Sequence, residues 1–113
     1  MHEIALAESV WRQVVAEMKA HSGRRLVAVH LVVGAWSGAE PESLEFALGL
    51  LVADSPWPGA RACIRREPVA LVCRACGLQF EMAEMNVACP GCGGVDVDAV
   101  RGMDLRLESL EVE

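Results

Sequence analysis

Two Cys-x-x-Cys pairs stand out in the chain: Cys73-Arg74-Ala75-Cys76-Gly77 and Cys89-Pro90-Gly91-Cys92-Gly93, with the twelve residues 77–88 between them. Four thiolates at this spacing can converge on one tetrahedral ion. Zn²⁺ is the default occupant, because it accepts an all-sulfur shell and a structural site needs no open position. Gly77 and Gly93 each follow the second cysteine of a pair, where a tight knuckle turns backbone N–H groups toward sulfur and positive φ is cheap for glycine. Pro90 fixes φ inside the second knuckle. The spacer is shorter than the usual zinc-ribbon length but long enough for a hairpin turn. A disulfide framework would need an oxidising compartment, and a thioredoxin-like redox pair would leave the other pair idle. The spacing therefore predicts a structural four-cysteine zinc site at Cys73, Cys76, Cys89 and Cys92. Such a closed site holds a segment in shape without itself doing chemistry.

The other residues able to do chemistry open the chain. The α-amine of Met1, the backbone nitrogen of His2 and the His2 imidazole together make a tridentate chelate with five- and six-membered rings. Ni²⁺ and Cu²⁺ favour square-planar nitrogen sites of this kind. The first N–H groups of a helix lack intrahelical partners, so a helix starting here would leave them free. The helix dipole opposes a cation at that end, and Glu3 partly offsets it. The fourth position could be taken by Glu3, Glu40, water or a partner's side chain. On its own a Met-His start identifies nothing.

Length and composition limit what must position these groups. With 113 residues and 53% hydrophobic content there is room for one modest domain and a small appendage. The opening has no basic stretch and carries an acid at position 3, so it does not read as a signal peptide. The longest apolar run, Phe46 to Ala53, is too short to span a bilayer. Five cysteines, four at metal spacing, indicate a reducing cytoplasm. Four thiolates with one Zn²⁺ take the formal charge from −6 to about −8. That disfavours nucleic acid, whose phosphates call for Lys and Arg. It suits a protein that handles cations.

Residues 3 to about 20 read as an amphipathic helix with Ile4, Ala7, Trp11, Val14, Val15 and Met18 on one stripe. Leu26–Val33 is apolar on both faces and reads as a central strand, with His30 a packed, hydrogen-bonded imidazole. Pro41 marks a helix start, continued by Leu44, Ala47, Leu48 and Leu51. Arg61–Glu67 reads as a strand with Ala62 and Ile64 on one face; Cys63, on the other, reads as a half-buried structural thiol. Val95–Asp98 alternates like a strand returning across the ribbon. In Leu105–Val112 the apolar phase switches from Leu105 and Leu107 to Leu110 and Val112, which predicts a bulge or a strand covered on both faces. The expected fold class is α+β: a three-stranded mixed sheet of residues 26–33, 61–67 and 105–112, two helices packed on it, and a small inserted four-cysteine zinc ribbon. The domains are 1–67 with 103–113, discontinuous, and 68–102, bounded near Pro68 and Gly102.

In combination these features resemble the HypA/HybF family, the nickel metallochaperones of NiFe-hydrogenase maturation. The resemblance rests on Met1-His2-Glu3 opening a helix, the apolar strand ending at Gly34, and the helix start Glu40-Pro41-Glu42-Ser43-Leu44. It extends to the two cysteine pairs and the closing Leu105-Arg106-Leu107 and Ser109-Leu110-Glu111-Val112, so it covers essentially the full chain. It implies an α+β nickel-binding domain carrying a zinc domain, with Ni²⁺ held through Met1 and His2 and with Glu3 and Glu40 as candidate neighbours. The implied role is delivery of nickel to a hydrogenase large-subunit precursor, in partnership with the GTPase HypB. Monomers and homodimers both occur in the family, and some members serve urease. The chain departs from the family at Met103-Asp104, where a second acid is missing, and in having no histidine in the zinc region. Neither an enzyme nor a membrane protein is expected, since there is no nucleophile–base constellation and no phosphate loop. The competing readings are a zinc-ribbon module for protein or nucleic-acid interaction without nickel transfer, and a thiol oxidoreductase.

Overall fold

The apolar run at Leu26 cannot face water on either side, and it becomes the centre of a sheet. In the computed structural model, which describes residues 2–113 apart from the side chain of His2, strand β1 (Leu26–Gly34) lies between β2 (Arg61–Glu67) and β6 (Leu105–Val112). It pairs parallel with β2 and antiparallel with β6. A parallel neighbour needs a crossover, and helix α2 (Pro41–Ala53) supplies it; α1 (His2–Lys19) precedes β1. This is the mixed sheet with two helices that the sequence predicts.

The core lies between the helices and one sheet face. Leu26, Val29, Leu31 and Val33 meet Leu44, Ala47 and Leu48 of α2 and Ala7, Val10, Val14 and Met18 of α1, with Ala62 and Ile64 of β2 beside them. The buried stripe of α1 is rotated from the expected one: Val10 is inside, while Ile4 is 44% exposed. Trp11 sits at the margin, edge-on to Trp57 with ring centroids 6.3 Å apart.

The phase switch in β6 is a bulge. His30 pairs with Ser109 and Leu31 with Leu107, so Glu108 is an extra residue. The two pairs of apolar residues on either side of it thereby face the same core. A second register shift, between Leu26 and Ala28, lets both Leu26 and Val29 point inward.

Between β2 and β6 the chain builds a second sheet from β3 (Ala70–Cys73), β4 (Gln79–Glu81) and β5 (Val97–Arg101), in the order β4-β3-β5, all antiparallel. The returning strand starts at Val97 rather than Val95. Cys89 N–H donates to Gly94 O, so the second knuckle extends through that residue, and Val95 remains 71% exposed.

The two sheets join where three backbone segments touch. A Cβ on Gly34 would fall 2.4 Å from the carbonyl of Gly102, and one on Gly102 would fall 2.5 Å from Pro68 O. Gly102 also has φ +88°. Gly34 N–H donates to Asp104 O, Ala35 N–H to Glu67 O and Trp36 N–H to Gly102 O, at 2.8, 2.9 and 2.8 Å. Glu67 accepts from both terminal nitrogens of Arg106 at 3.3 Å. That hydrogen bond and the guanidinium's charge, against some desolvation, hold the Glu67 carboxyl below the ordinary carboxylate range.

Two outcomes are expected. Gly34→Ala should lower stability by about 3 kcal/mol, because its Cβ meets backbone rather than a movable side chain; a denaturant titration of the full chain measures this. Because the folded Glu67 binds its proton less readily than the unfolded chain does, its contribution is complete above the unfolded pKa and is lost as pH falls through the lower folded value. In thermal melts from about pH 6 to about pH 3 the gap between the wild type and Glu67→Gln should therefore close on acidification.

Candidate metal centre

Local turn geometry shapes each cysteine pair, and the spacer between them brings the two pairs together. Gly77 N–H donates to Cys73 O at 2.8 Å and Gly93 N–H to Cys89 O at 2.7 Å, closing each knuckle. Gly77 and Gly93 take φ +80° and +76°, as expected for residues that let the chain turn back behind the second thiol. The first knuckle hangs from the end of β3, where Cys73 N–H donates to Leu78 O, and the second is brought opposite by the 77–88 spacer. The spacer turns through an isolated bridge between Ala83 and Asn86.

All four sulfurs lie within 4.8 Å of one another. Cys73 and Cys92 are 3.6 Å apart at sulfur, and so are Cys76 and Cys89. A disulfide would need about 2.05 Å, whereas a tetrahedron with metal–sulfur bonds of about 2.3 Å has sulfur–sulfur edges of about 3.8 Å. The spacing fits one tetrahedral ion. Cys73 and Cys89 are buried and Cys76 and Cys92 exposed, so the site sits at the surface with two ligands rooted in the fold. Gly91 N–H donates to Cys89 Sγ at 3.4 Å.

The electrostatics favour a cation. The N–H of Cys76, more than that of Ala75, lowers the Cys73 thiol to about 7 against the opposing effect of burial. At Cys76 the N–H of Leu78 also lowers the pKa, but the sulfur of Cys89, burial and the other two sulfurs push it up to about 11. Cys92 likewise rises, because the sulfur of Cys73, burial and Cys89 outweigh the N–H of Gly94. One thiolate forms readily and the next is resisted by its neighbours. A divalent ion removes that resistance. Arg74, inside the first knuckle, donates from Nε and an Nη to both carboxylate oxygens of Asp98 at 2.8 and 2.6 Å, clasping β3 to β5.

The second candidate group lies at the start of α1. Met1 and the side chain of His2 are outside the described residues. Glu3 is in the first helical turn, and its Oε2 accepts from Glu40 N–H at 3.4 Å, so these two candidate neighbours are brought together. Glu40 is the N-cap of α2: its Oε1 accepts from Ser43 N–H at 3.0 Å and Ser43 Oγ at 3.2 Å, and its Oε2 from Glu42 N–H at 3.3 Å. The Ser43 and Glu42 N–H groups hold its carboxyl below the ordinary range. His30 is hydrogen-bonded as expected, with Nε2 2.8 Å from Glu111 Oε1 on the sheet face away from the helices. Cys63 pairs beside it and is half-buried. Sequence reasoning missed the roles of Arg74, Asp98 and Glu67. Only the charge pattern around the ribbon could have pointed to them, since each pairs with a residue distant in the chain.

A two-helix α+β fold that carries a four-thiolate ribbon defines a metal-binding protein, and comparison with known proteins narrows that class. Residues 1–112 match the family described as hydrogenase/urease nickel incorporation, metallochaperone, HypA. The chain belongs to this family. It is 37% identical to the hydrogenase maturation factor HypA of Geotalea uraniireducens, over all of both chains. It is 35% identical to that of Albidiferax ferrireducens, again over all of both chains. The solution structure of the Ni metallochaperone HypA from Helicobacter pylori superposes with a TM-score of 0.66 at 22% identity, covering 96% of this chain and 95% of that one. A second structure, of a HypA protein, gives 0.73 at 23%, covering 100% and 97%. At these identities the two structures establish the shared fold.

Because a Cβ on Gly77 meets nothing within 4 Å, Gly77→Ala isolates the cost of its positive φ. It should destabilise the metal-loaded ribbon by about 1 kcal/mol without releasing the ion. Cys89→Ser should leave the chain without stoichiometric metal at the ribbon while the helical circular-dichroism signal persists. Metal analysis by plasma mass spectrometry distinguishes the two variants.

Proposed function

We propose that this chain is a nickel carrier of hydrogenase maturation. It takes up Ni²⁺ through the Met1 α-amine, the backbone nitrogen of His2 and the His2 imidazole, and delivers the ion to the large-subunit precursor of a NiFe-hydrogenase with the GTPase HypB as partner. It works in the cytoplasm, by binding and release rather than by catalysis. The observation that carries the reading is family membership over residues 1–112, together with a sequence that opens Met1-His2-Glu3 and a helix α1 that begins at His2. The names of the relatives, hydrogenase maturation factors and a nickel metallochaperone, support it. Of the two nearby carboxylates, Glu3 has the more free coordination capacity, because both oxygens of Glu40 already cap α2.

Zinc is the ion assigned to Cys73, Cys76, Cys89 and Cys92. When bound it supplies a closed four-sulfur anchor and no open position. The ribbon, residues 68–102, is then a folding unit that depends on its metal, inserted into a nickel-binding unit of residues 1–67 and 103–113.

The chelate requires an amine with an ordinary pKa of about 7.7–8.0 and an imidazole of about 6.5, both deprotonated. Affinity for Ni²⁺ should therefore fall at least roughly tenfold between about pH 8 and about pH 6. His2→Ala, or an uncleaved N-terminal tag, should abolish stoichiometric Ni²⁺ binding in isothermal titration while the zinc content is unchanged. Equal nickel affinity in either variant sinks the assignment.

A further inference from the structure

Helix α2 is apolar nearly all round, a composition that belongs to a helix with no face in water. Yet one of its faces is open. Leu44, Ala47, Leu48 and Val52 are buried, whereas Phe46 is 70% and Leu50 59% exposed. Phe46 and Leu50 stand four residues apart, with Ser43 and Ala47 on the same side. Across from them Ile4 of α1 is also exposed. The two helices thus form the walls of a groove floored by Ile4, Ala47, Phe46 and Leu50, which continues along Ala7 and Leu51. Its rim is acidic: Glu3, Glu40 and Glu42 line one end and Glu8 the other. Among the described residues, the cation within ion-pair range of this rim is Arg66, 3.8 Å from Glu42.

An apolar trough between two helices, edged by carboxylates, has a complement of definite chemistry. A third helix laid along it would bury Phe46, Leu50 and Ile4 with residues at helical spacing, and Lys or Arg on its flanks would meet the acids. A second copy of this chain fits badly, since it would bring the same acidic rim with a formal charge of −6. We propose that the α1–α2 groove is a docking site for an amphipathic helix of another protein, apolar on one face and basic along both edges. This surface borders Glu3 and Glu40, but the inference does not depend on nickel binding.

The probe is a fluorescein-labelled helical peptide with Leu at i, i+3, i+4 and i+7 and Lys or Arg on both flanks. A twin peptide has Glu on the flanks. Each is titrated with the full zinc-loaded chain, without nickel, and followed by anisotropy. The basic peptide should bind at least tenfold more tightly than its acidic twin, and added salt should narrow the gap. Phe46→Ala and Leu50→Lys should each weaken the basic peptide at least tenfold, while Val100→Ala on the ribbon leaves it unchanged. Phe46 and Leu50 are exposed, so the variants should retain wild-type circular dichroism, and two independent substitutions guard against one that does not. Absence of binding, equal binding of the two peptides, or wild-type binding by both groove variants overturns the proposal. So does sedimentation showing a dimer that Phe46→Ala dissociates, which would assign the groove to a second copy. A nickel titration that failed while the peptide bound would count against the proposed carrier role alone.

Discussion

The contact between Gly34 and Gly102 is closer than any side chain would allow. It lets the loop after β1 hydrogen-bond to both strands that connect the two sheets, at Glu67 on the way out and at Gly102 and Asp104 on the way back. An inserted segment would ordinarily hang from two independent linkers, each free to swivel. Here the linkers share partners, so turning one displaces the other. Glu67 adds a charged tie across the same place through Arg106. The orientation of the ribbon is therefore set by backbone packing, a restraint whose strength depends little on salt.

Beyond Val69, Ala70 and Leu71 at its entry, which are buried, the ribbon hides little apolar material: Leu78 is 41% exposed, Met85 85% and Val95 71%. So small a hydrophobic content cannot offset the entropy of ordering the chain, and the thiolate cluster has to supply the difference. Its organisation reflects that division. Backbone N–H groups lower the pKa of one thiol, neighbouring sulfurs raise the next, and the Arg74–Asp98 clasp closes the strands below the knuckle. The α/β part is the reverse case, with a continuous buried core between helices and sheet and apolar surface left over on α2.

Most of the fold was legible in the sequence because its signals are local. The cysteine spacing, the glycines behind each pair, the two-faced apolar strand and Pro41 at a helix start each depend on a few adjacent residues. The mixed sheet followed from the order of these elements. What was not legible depends on contacts distant in the chain. The stripe of α1 is turned toward Val10, and Trp11 meets an aromatic partner at Trp57, some forty-six positions on. Strand β5 started late because the second knuckle extends to Gly94. At the candidate site, Glu40 could be read as a carboxylate near a helix start, but its commitment to capping needed the hydrogen-bond geometry. The apolar composition of α2 was plain in the sequence; which of its faces stays open was not.

One residue in β6 shows how a free edge is kept safe. Without Glu108 the strand would read Leu-Arg-Leu-Ser-Leu-Glu-Val, an unbroken alternation that would lie flat at the margin of the sheet and invite pairing by any extended chain. The additional carboxylate instead reaches Arg65 at 2.7 Å, spanning the sheet, and it interrupts the regular ladder where a foreign strand would have to match it. The bulge thus makes this edge a poorer template for a foreign strand, at no loss to the buried side of β6.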